Sequence, residues 1–391
     1  GKECFDKSLK ELVVSSCGDT LKKFNMTTIR IDALVFMVAS IIVNCPFGDG
    51  KISCKNANGK DVDWFIVYKI PKTKPNTRSF KQPNGGEMAY YDHLSKKLRW
   101  TLLDSDINST RNNPIWNTLA PIYKTGSNIA FLAYNDQPPH PFNGTRGGHT
   151  KGVLMAGNGM DMGAVWLQHS VPRFVDIVKK GYMYPNNGRE NGQLFFCITF
   201  PLGTVEKISY HLHLQAANVY ETRYRDWTDT YKLFSSLLRK EYVRKLSGVQ
   251  VDFLLTRKSR PVLAIAKSHK WINDIYTVEL IRQMNDSMTV QTWKNGVGGA
   301  QTMHCKGRYT VTDVEEVDVH TQKGLLAFSS SEDHSKWSVA RNNGFFCFSS
   351  LNRMFSQWKR GGEITCIIDL PLAKLFRDSI FKQNQCRKKR E

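Results

Sequence analysis

Short apolar and aromatic runs recur along this chain, broken by polar, glycine-bearing turns. In the first half they fall at 63–70, 128–134, 152–156, 164–169 and 193–200. Between them stand turn signals such as Asn84-Gly85-Gly86, Asn143-Gly144 and Asn186-Asn187-Gly188. Runs of roughly four to eight residues with such borders read as strands. From Arg225 to Leu246 the spacing changes: Leu233, Leu237, Leu238 and Val243 recur with charges between them, which predicts an amphipathic helix linking two halves. The second half predicts a strand at 262–266, a helix at 273–284, strands at 287–293, 325–329, 335–340, 345–349 and 364–369, and a closing helix at 371–381. The pattern alone predicts only a mixed α/β fold; taken with a triplet that occurs once in each half, at 149–151 and 334–336, the expected division is an N-terminal lobe over 46–224, a linking helix over 225–250 and a C-terminal lobe over 251–391.

The N-terminal stretch has a different character. Residues 26–45 begin with Met-Thr-Thr-Ile-Arg and continue into the apolar run from Ala33 to Val43. This reads as a secretory signal peptide starting at Met26, with 1–25 as an upstream extension. The apolar run is too short for a comfortable membrane span, and Asp32 interrupts its front edge, so the mature chain is expected to have no span. The competing reading is a genuine extension followed by a signal anchor or a buried helix. Nine cysteines would leave one unpaired, but removing 1–45 takes away Cys4, Cys17 and Cys45. The remaining Cys54, Cys197, Cys305, Cys347, Cys366 and Cys386 can pair completely, although spacing leaves their connectivity open. Sequons at Asn108, Asn143 and Asn285 fit a secretory route and are the glycosylation candidates.

The formal net charge of +20 suits a polyanionic partner, since each neutralised phosphate releases condensed counterions. A solvated basic surface would give the same number. The candidate chemistry narrows the choice. His149-Thr150-Lys151 and His334-Ser335-Lys336 repeat one triplet, once in each half. In an extended segment, positions i and i+2 share a face, so each triplet presents an imidazole beside an ammonium. Two facing triplets would form a cationic pocket in which one imidazole attacks phosphorus and the other protonates the leaving oxygen. Lys151 and Lys336 would hold the non-bridging oxygens, a role many nucleases give to metal ions. The triplets are too far apart for a short tandem repeat and fit a two-lobed internal duplication.

The flanks carry a resemblance. Asp61-Val62-Asp63-Trp64-Phe65-Ile66-Val67-Tyr68-Lys69, Phe131 to Pro139, Gly148-His149-Thr150-Lys151-Gly152-Val153, His169-Ser170-Val171-Pro172-Arg173-Phe174, Leu194-Phe195-Phe196-Cys197 and Glu332-Asp333-His334-Ser335-Lys336-Trp337 occur in order. Together they resemble the deoxyribonuclease II family, a branch of the phospholipase D superfamily. The resemblance implies two pseudo-symmetric lobes of mixed sheets with flanking helices and an active site between them. It also implies a metal-independent acid endonuclease that cuts double-stranded DNA to 3′-phosphate ends through a phosphohistidine, needs no cofactor, and is secreted or lysosomal. Family analogy makes His149 the nucleophile and His334 the acid, and pairs Cys54 with Cys197, Cys305 with Cys386 and Cys347 with Cys366.

The broader superfamily places an aspartate shortly after each triplet, where this chain has Ala156 and Arg341. This leaves open what orients each imidazole. His169, with Ser170, and Asn352 are the expected supporting groups. His211-Leu212-His213 reads as a half-exposed strand, because nothing nearby completes a metal-ligand set. Gly296-Val297-Gly298-Gly299 lacks the lysine of a phosphate loop and reads as a turn. The rival function is a noncatalytic secreted DNA-binding homologue of the same fold. A lipid phosphodiesterase is a third reading.

Overall fold

A computed structural model describes residues 52–144 and 146–386. The expected signal segment, Cys4, Cys17, Cys45 and the basic tail from Arg387 lie outside those residues. Two large sheets dominate. The first contains β1 (Trp64–Lys69), β2 (Met88–Asp92), β3 (Thr101–Leu102), β4 (Ala130–Asn135), β5 (Lys151–Gly157), β6 (Gly163–His169), β7 (Gln193–Phe200) and β8 (Val219–Arg223). Its order is β8-β4-β5-β6-β7-β1-β2-β3, antiparallel throughout. The second contains β9 (Val249–Leu255), β10 (Pro261–Lys267), β11 (Met288–Gln291), β12 (Val311–Thr321), β13 (Gly324–Ser329), β14 (Trp337–Ala340), β15 (Phe345–Ser349), β16 (Gly362–Ile368) and β17 (Ile380–Gln383). Its order is β9-β10-β16-β15-β14-β11-β12-β13, with β17 added against β12 and one parallel pair, β11 with β12.

Five strands of each sheet repeat one path. In the first sheet β4-β5-β6-β7-β1 lie side by side; in the second β11-β14-β15-β16-β10 do the same, in the same chain order. Each half is thus one copy of a common plan, with a triplet at the start of the equivalent strands β5 and β14.

Most first-sheet strands are buried on both faces, which is why they read as continuous apolar runs rather than as alternating ones. Trp64, Ile66 and Tyr68 of β1 point into a core shared with Trp337, Val339, Phe346 and Phe348 of the second sheet. Their neighbours Phe65 and Val67 face an outer core with Ile115 and Leu119 of helix α1 (Pro114–Tyr123). Helix α1 starts where the sequence directs it: Asn113 accepts from the amides of Ile115 and Trp116, and Pro114 occupies the first turn. Helix α2 (Thr204–Leu214) sends Val205, Ile208 and Leu212 into the shared core.

Two sequence expectations change here. His211 and His213 lie on α2 and are buried, not on a half-exposed strand. On a helix, residues two apart point different ways. Thus His211 Nε2 meets Asp252 at 2.8 Å, whereas His213 Nε2 meets Ser236 Oγ at 3.0 Å. The helix expected over 225–246 shrinks to α3 (Lys232–Leu238), preceded by a 3₁₀ turn at Asp226–Thr230. Lys240 and Lys245 adopt positive φ, through which no right-handed helix continues. A π turn over Tyr276–Leu280 leads into α4 (Ile281–Met284), and α5 (Leu370–Asp378) carries Phe376 to the centre of an aromatic cluster with Tyr68, Trp100, Trp337 and Phe346.

Disulfides join Cys54 to Cys197, Cys305 to Cys386 and Cys347 to Cys366, as the resemblance implies. The last joins directly opposed residues of β15 and β16. Among the described residues no helix is long and apolar enough to cross a membrane.

Candidate active site between the two sheets

Each triplet is held by the opposite half of the molecule. The amide of His149 donates to the Gly361 carbonyl at 2.7 Å, and the amide of His334 donates to the Gly192 carbonyl at 2.9 Å. Gly148 bridges to Gly361 and Asp333 to Gly192 as short parallel contacts. These approaches leave no room for side chains: a Cβ on Gly148 would lie 2.6 Å from the Gln215 carbonyl oxygen, and one on Gly361 would strike the same oxygen.

The rings follow the backbone. His149 Nδ1 lies 2.7 Å from the Ser350 carbonyl oxygen, and His334 Nδ1 lies 3.3 Å from that of Ser170. A carbonyl only accepts, so each Nδ1 carries the proton and each Nε2 keeps a lone pair for chemistry. Backbone carbonyls of the opposite sheet thus supply the orientation that Ala156 and Arg341 cannot. Ser170 follows His169, which sits in an apolar pocket between Phe174 and Phe195 and accepts from the Val171 amide at 3.2 Å. Burial, then Lys151, pushes His169 down to about 3, so it is a neutral prop. Asn352 is buried near Ser350, but its side-chain oxygen has no partner among the described residues and it bonds to neither imidazole.

The four triplet side chains act on one another. Lys151 and Lys336 are almost wholly buried, and both histidines are mostly covered. Burial, then Lys151, lowers His149 to about 3, with Lys336 of the other half adding to the effect and Asp136 opposing it. His334 falls well below the ordinary histidine value through burial, then Lys336, Lys151 and His149. Lys336 is also held far below its usual value, by burial and by Lys151. The site is a desolvated cluster of bases whose protonation an anion among them would favour.

Several important residues had no clear sequence signal. Asp136 pairs with Lys151, lies 3.9 Å from His149 Nε2 and meets Arg360 at 3.3 Å. Burial opposes its ionisation, yet Lys151, His149 and Arg360 hold its carboxyl below the usual range. Arg360 also donates to the carbonyls of Gly147 and Gly148, fastening the segment before His149. Thr150 donates to Glu363 of β16 at 2.9 Å, and Gln215 holds the other Glu363 oxygen at 2.8 Å. The other triplet is supported differently: Ser335 donates to Asp333 at 2.8 Å, and Tyr68 donates to the same oxygen at 2.5 Å.

The two halves of the site are therefore not equivalent. Asn135 stands opposite Lys151 across β4 and β5, and Gln291 opposite Trp337 across β11 and β14. Continuing the second register by one residue sets Thr292 opposite Lys336, so Asp136 and Trp293 occupy matching positions. His149 has a carboxylate beside it; His334 has the edge of Trp293, ring centres 5.5 Å apart.

The two large sheets share one strand path and hold a histidine and lysine pair from each half, and comparison with known proteins shows the family. The sequence profile for Deoxyribonuclease II matches residues 53–386. The chain belongs to the deoxyribonuclease II family. It is 33% identical to Deoxyribonuclease-2-alpha of Mus musculus, over 81% of this chain and 88% of that protein. It is 32% identical to Cell-death-related nuclease 7 of Caenorhabditis elegans, over 87% and 89% of the two chains. Plancitoxin-1 of Acanthaster planci is 31% identical, over 90% and 97%. In this family member the three disulfides lie wholly inside the matched region, and so do both triplets. The three sequon asparagines in that region are exposed.

Proposed function

We propose that this member of the deoxyribonuclease II family is a hydrolase of DNA phosphodiesters, a metal-independent acid endonuclease that leaves 3′-phosphate ends through a phosphohistidine. The observation that carries the reading is the pair of imidazoles, each anchored through Nδ1 by the opposite sheet and free at Nε2, with a buried lysine beside each. One Nε2 attacks phosphorus as the P–O5′ bond breaks, and the other imidazole, protonated, gives its proton to the departing oxygen. Water then attacks phosphorus, its proton passes to the second imidazole, the N–P bond breaks to return the first imidazole's lone pair, and the 3′-phosphate leaves. Lys151 and Lys336 offset the charge that grows on the non-bridging oxygens.

The asymmetry supports an allocation opposite to the family analogy: His149, beside Asp136, carries the proton, and His334, lacking a carboxylate, attacks. Burial, and after it the field of the lysines, keeps both imidazoles neutral, which suits a nucleophile but starves the acid of its proton. A bound phosphodiester adds negative charge and raises both values. The protonated fraction of the acid grows as pH falls, so turnover is greatest on the acid side. Contacts to phosphates carry no sequence information, which makes cleavage largely independent of sequence. The disulfides and exposed sequons favour a secreted or lysosomal setting.

Supercoiled plasmid at pH 5 with excess EDTA tests the reading. The protein should nick it, and His334→Ala and His149→Ala should not. Retained DNA binding without nicking by the parent would make the protein the noncatalytic homologue.

A further inference from the structure

A second concentration of positive charge lies outside the paired triplets. A cleft of about 670 Å³ opens between the end of α2, the loop after α3, the loop after β10 and the segment leading to His149. Arg146, Lys240, Arg244, Lys245 and Lys270 line it, against a single carboxylate, Glu241. Among the described residues none of these five cations has an ion-pair partner. Some arginines elsewhere are neutralised: Arg78 by Glu316 and Asp318, Arg189 by Asp106, Arg260 by Asp369.

The cleft is shaped as well as charged. The Arg146 guanidinium lies over the Tyr242 ring, 3.1 Å from its centre. Lys240 and Lys245 adopt left-handed backbone conformations that a lysine rarely takes. Lys240 Nζ is fixed on the Tyr220 carbonyl at 2.8 Å.

Its position relative to the site is set by the chain. Arg146 is three residues before His149, a span of at most roughly 11 Å in extended backbone. The intervening Gly147 and Gly148 are pinned by Arg360, Gly361 and the Ala216 carbonyl, so the two places cannot drift apart. One strand of duplex DNA carries a phosphate for roughly every 3.4 Å of rise. A backbone whose scissile phosphate sits between the triplets therefore brings its next few phosphates to Arg146 and the loop behind it.

We propose that this cleft is a second phosphate-binding subsite, which grips the DNA backbone beyond the scissile phosphate. The proposal rests on the nuclease reading, and its test separates the two. Binding of a fluorescent 30-base-pair duplex would be measured at pH 5 over a salt series in His334→Ala protein, with and without Arg146→Ala, Arg244→Ala and Lys245→Ala together. A slope of about −0.9 in log K against log salt attends each neutralised phosphate. The triple variant should flatten the slope by about two to three and weaken low-salt binding by about tenfold or more. A control with the exposed Lys96, Lys97 and Arg99 changed to alanine removes the same charge elsewhere and should move the slope by less than one. Equal changes in both triples would mean that net charge alone matters and would overturn the proposal. So would a cleft variant that weakens binding of a heparin oligosaccharide while leaving the DNA slope intact. Hydrolysis of bis(p-nitrophenyl) phosphate, too small to reach the cleft, reads the triplets alone. Its rate should survive the cleft substitutions in otherwise parental protein, and its absence in the parent would count against the nuclease reading instead.

Discussion

Asp136 decides more at this site than its place in the sequence suggests. Among the described residues it is the carboxylate that pairs with an imidazole of the two triplets, and it opposes the burial and the two lysines that lower His149. Replacing it with asparagine removes that opposition, so the His149 value should fall further and the rise of activity should move to lower pH. At pH 5 turnover should drop by about 10- to 100-fold, a partial loss of the roughly 100- to 10,000-fold that a general acid contributes. A pH–rate profile unchanged in Asp136→Asn would exclude the role. The allocation of the histidines has its own test. Quenching in alkaline denaturant, in which a phosphoramidate survives, followed by proteolysis and mass spectrometry should place the trapped phosphoryl group on His334; recovery on His149 would restore the family analogy.

At the level of elements, β16 links the site to the second sheet. Glu363 receives Thr150 through its side chain, while its amide and carbonyl bond to Ser350, whose own carbonyl holds His149. Burial raises Glu363 to about 7, with Gln215, Thr150, Gln168 and Lys151 opposing, so the folded protein protonates it where the unfolded chain, near 4.5, would not. Its contribution to stability is fully present below about 4.5 and is lost as pH rises through 7, with an upper bound of about 3 kcal/mol. His149 and His169 act in the opposite sense: lowered to about 3, they contribute stability above the ordinary histidine value that fades as pH falls. Melting temperature measured at pH 5 and pH 7 should change differently in Glu363→Gln, because the glutamine lacks the proton that favours the acid side. Parallel trends in parent and variant would show that Glu363 does not titrate in this window.

Among the described residues the two sheets share one strand path, and the two triplets lie where the halves exchange backbone hydrogen bonds. Cys54–Cys197 ties β7 to the start of the first half across a separation of 143 residues. Closing so long a loop restricts the unfolded chain strongly, and removing both cysteines should cost about 3–5 kcal/mol in the chain-entropy picture. Denaturant titration of the Cys54→Ala, Cys197→Ala protein would measure it, and a loss below about 1 kcal/mol would show that the sheet alone holds this half. The net charge of +20 belongs to this scale too, and the paired cleft and control variants separate the placing of the cations from their number.

The doubly buried strands such as β1 and β7, the paired triplets and a cysteine set able to close on itself were determined by local pattern, whereas β2, β3, β8, β9, β12 and β17 had no such apolar run to mark them. Apolar runs between glycine-bearing turns leave few alternatives to buried strands, and the flanks of each triplet are long enough to identify a family. Tertiary structure decided the rest, because the deciding groups are distant in sequence or have no side-chain signature. The Ser170 and Ser350 carbonyls that orient the imidazoles are backbone atoms, which any residue would supply. Asp136 and Trp293 became counterparts only through sheet register. His211 and His213 were misread because an apolar residue between two histidines fits an alternating strand and a helix equally well, until packing of α2 against the shared core selected the helix.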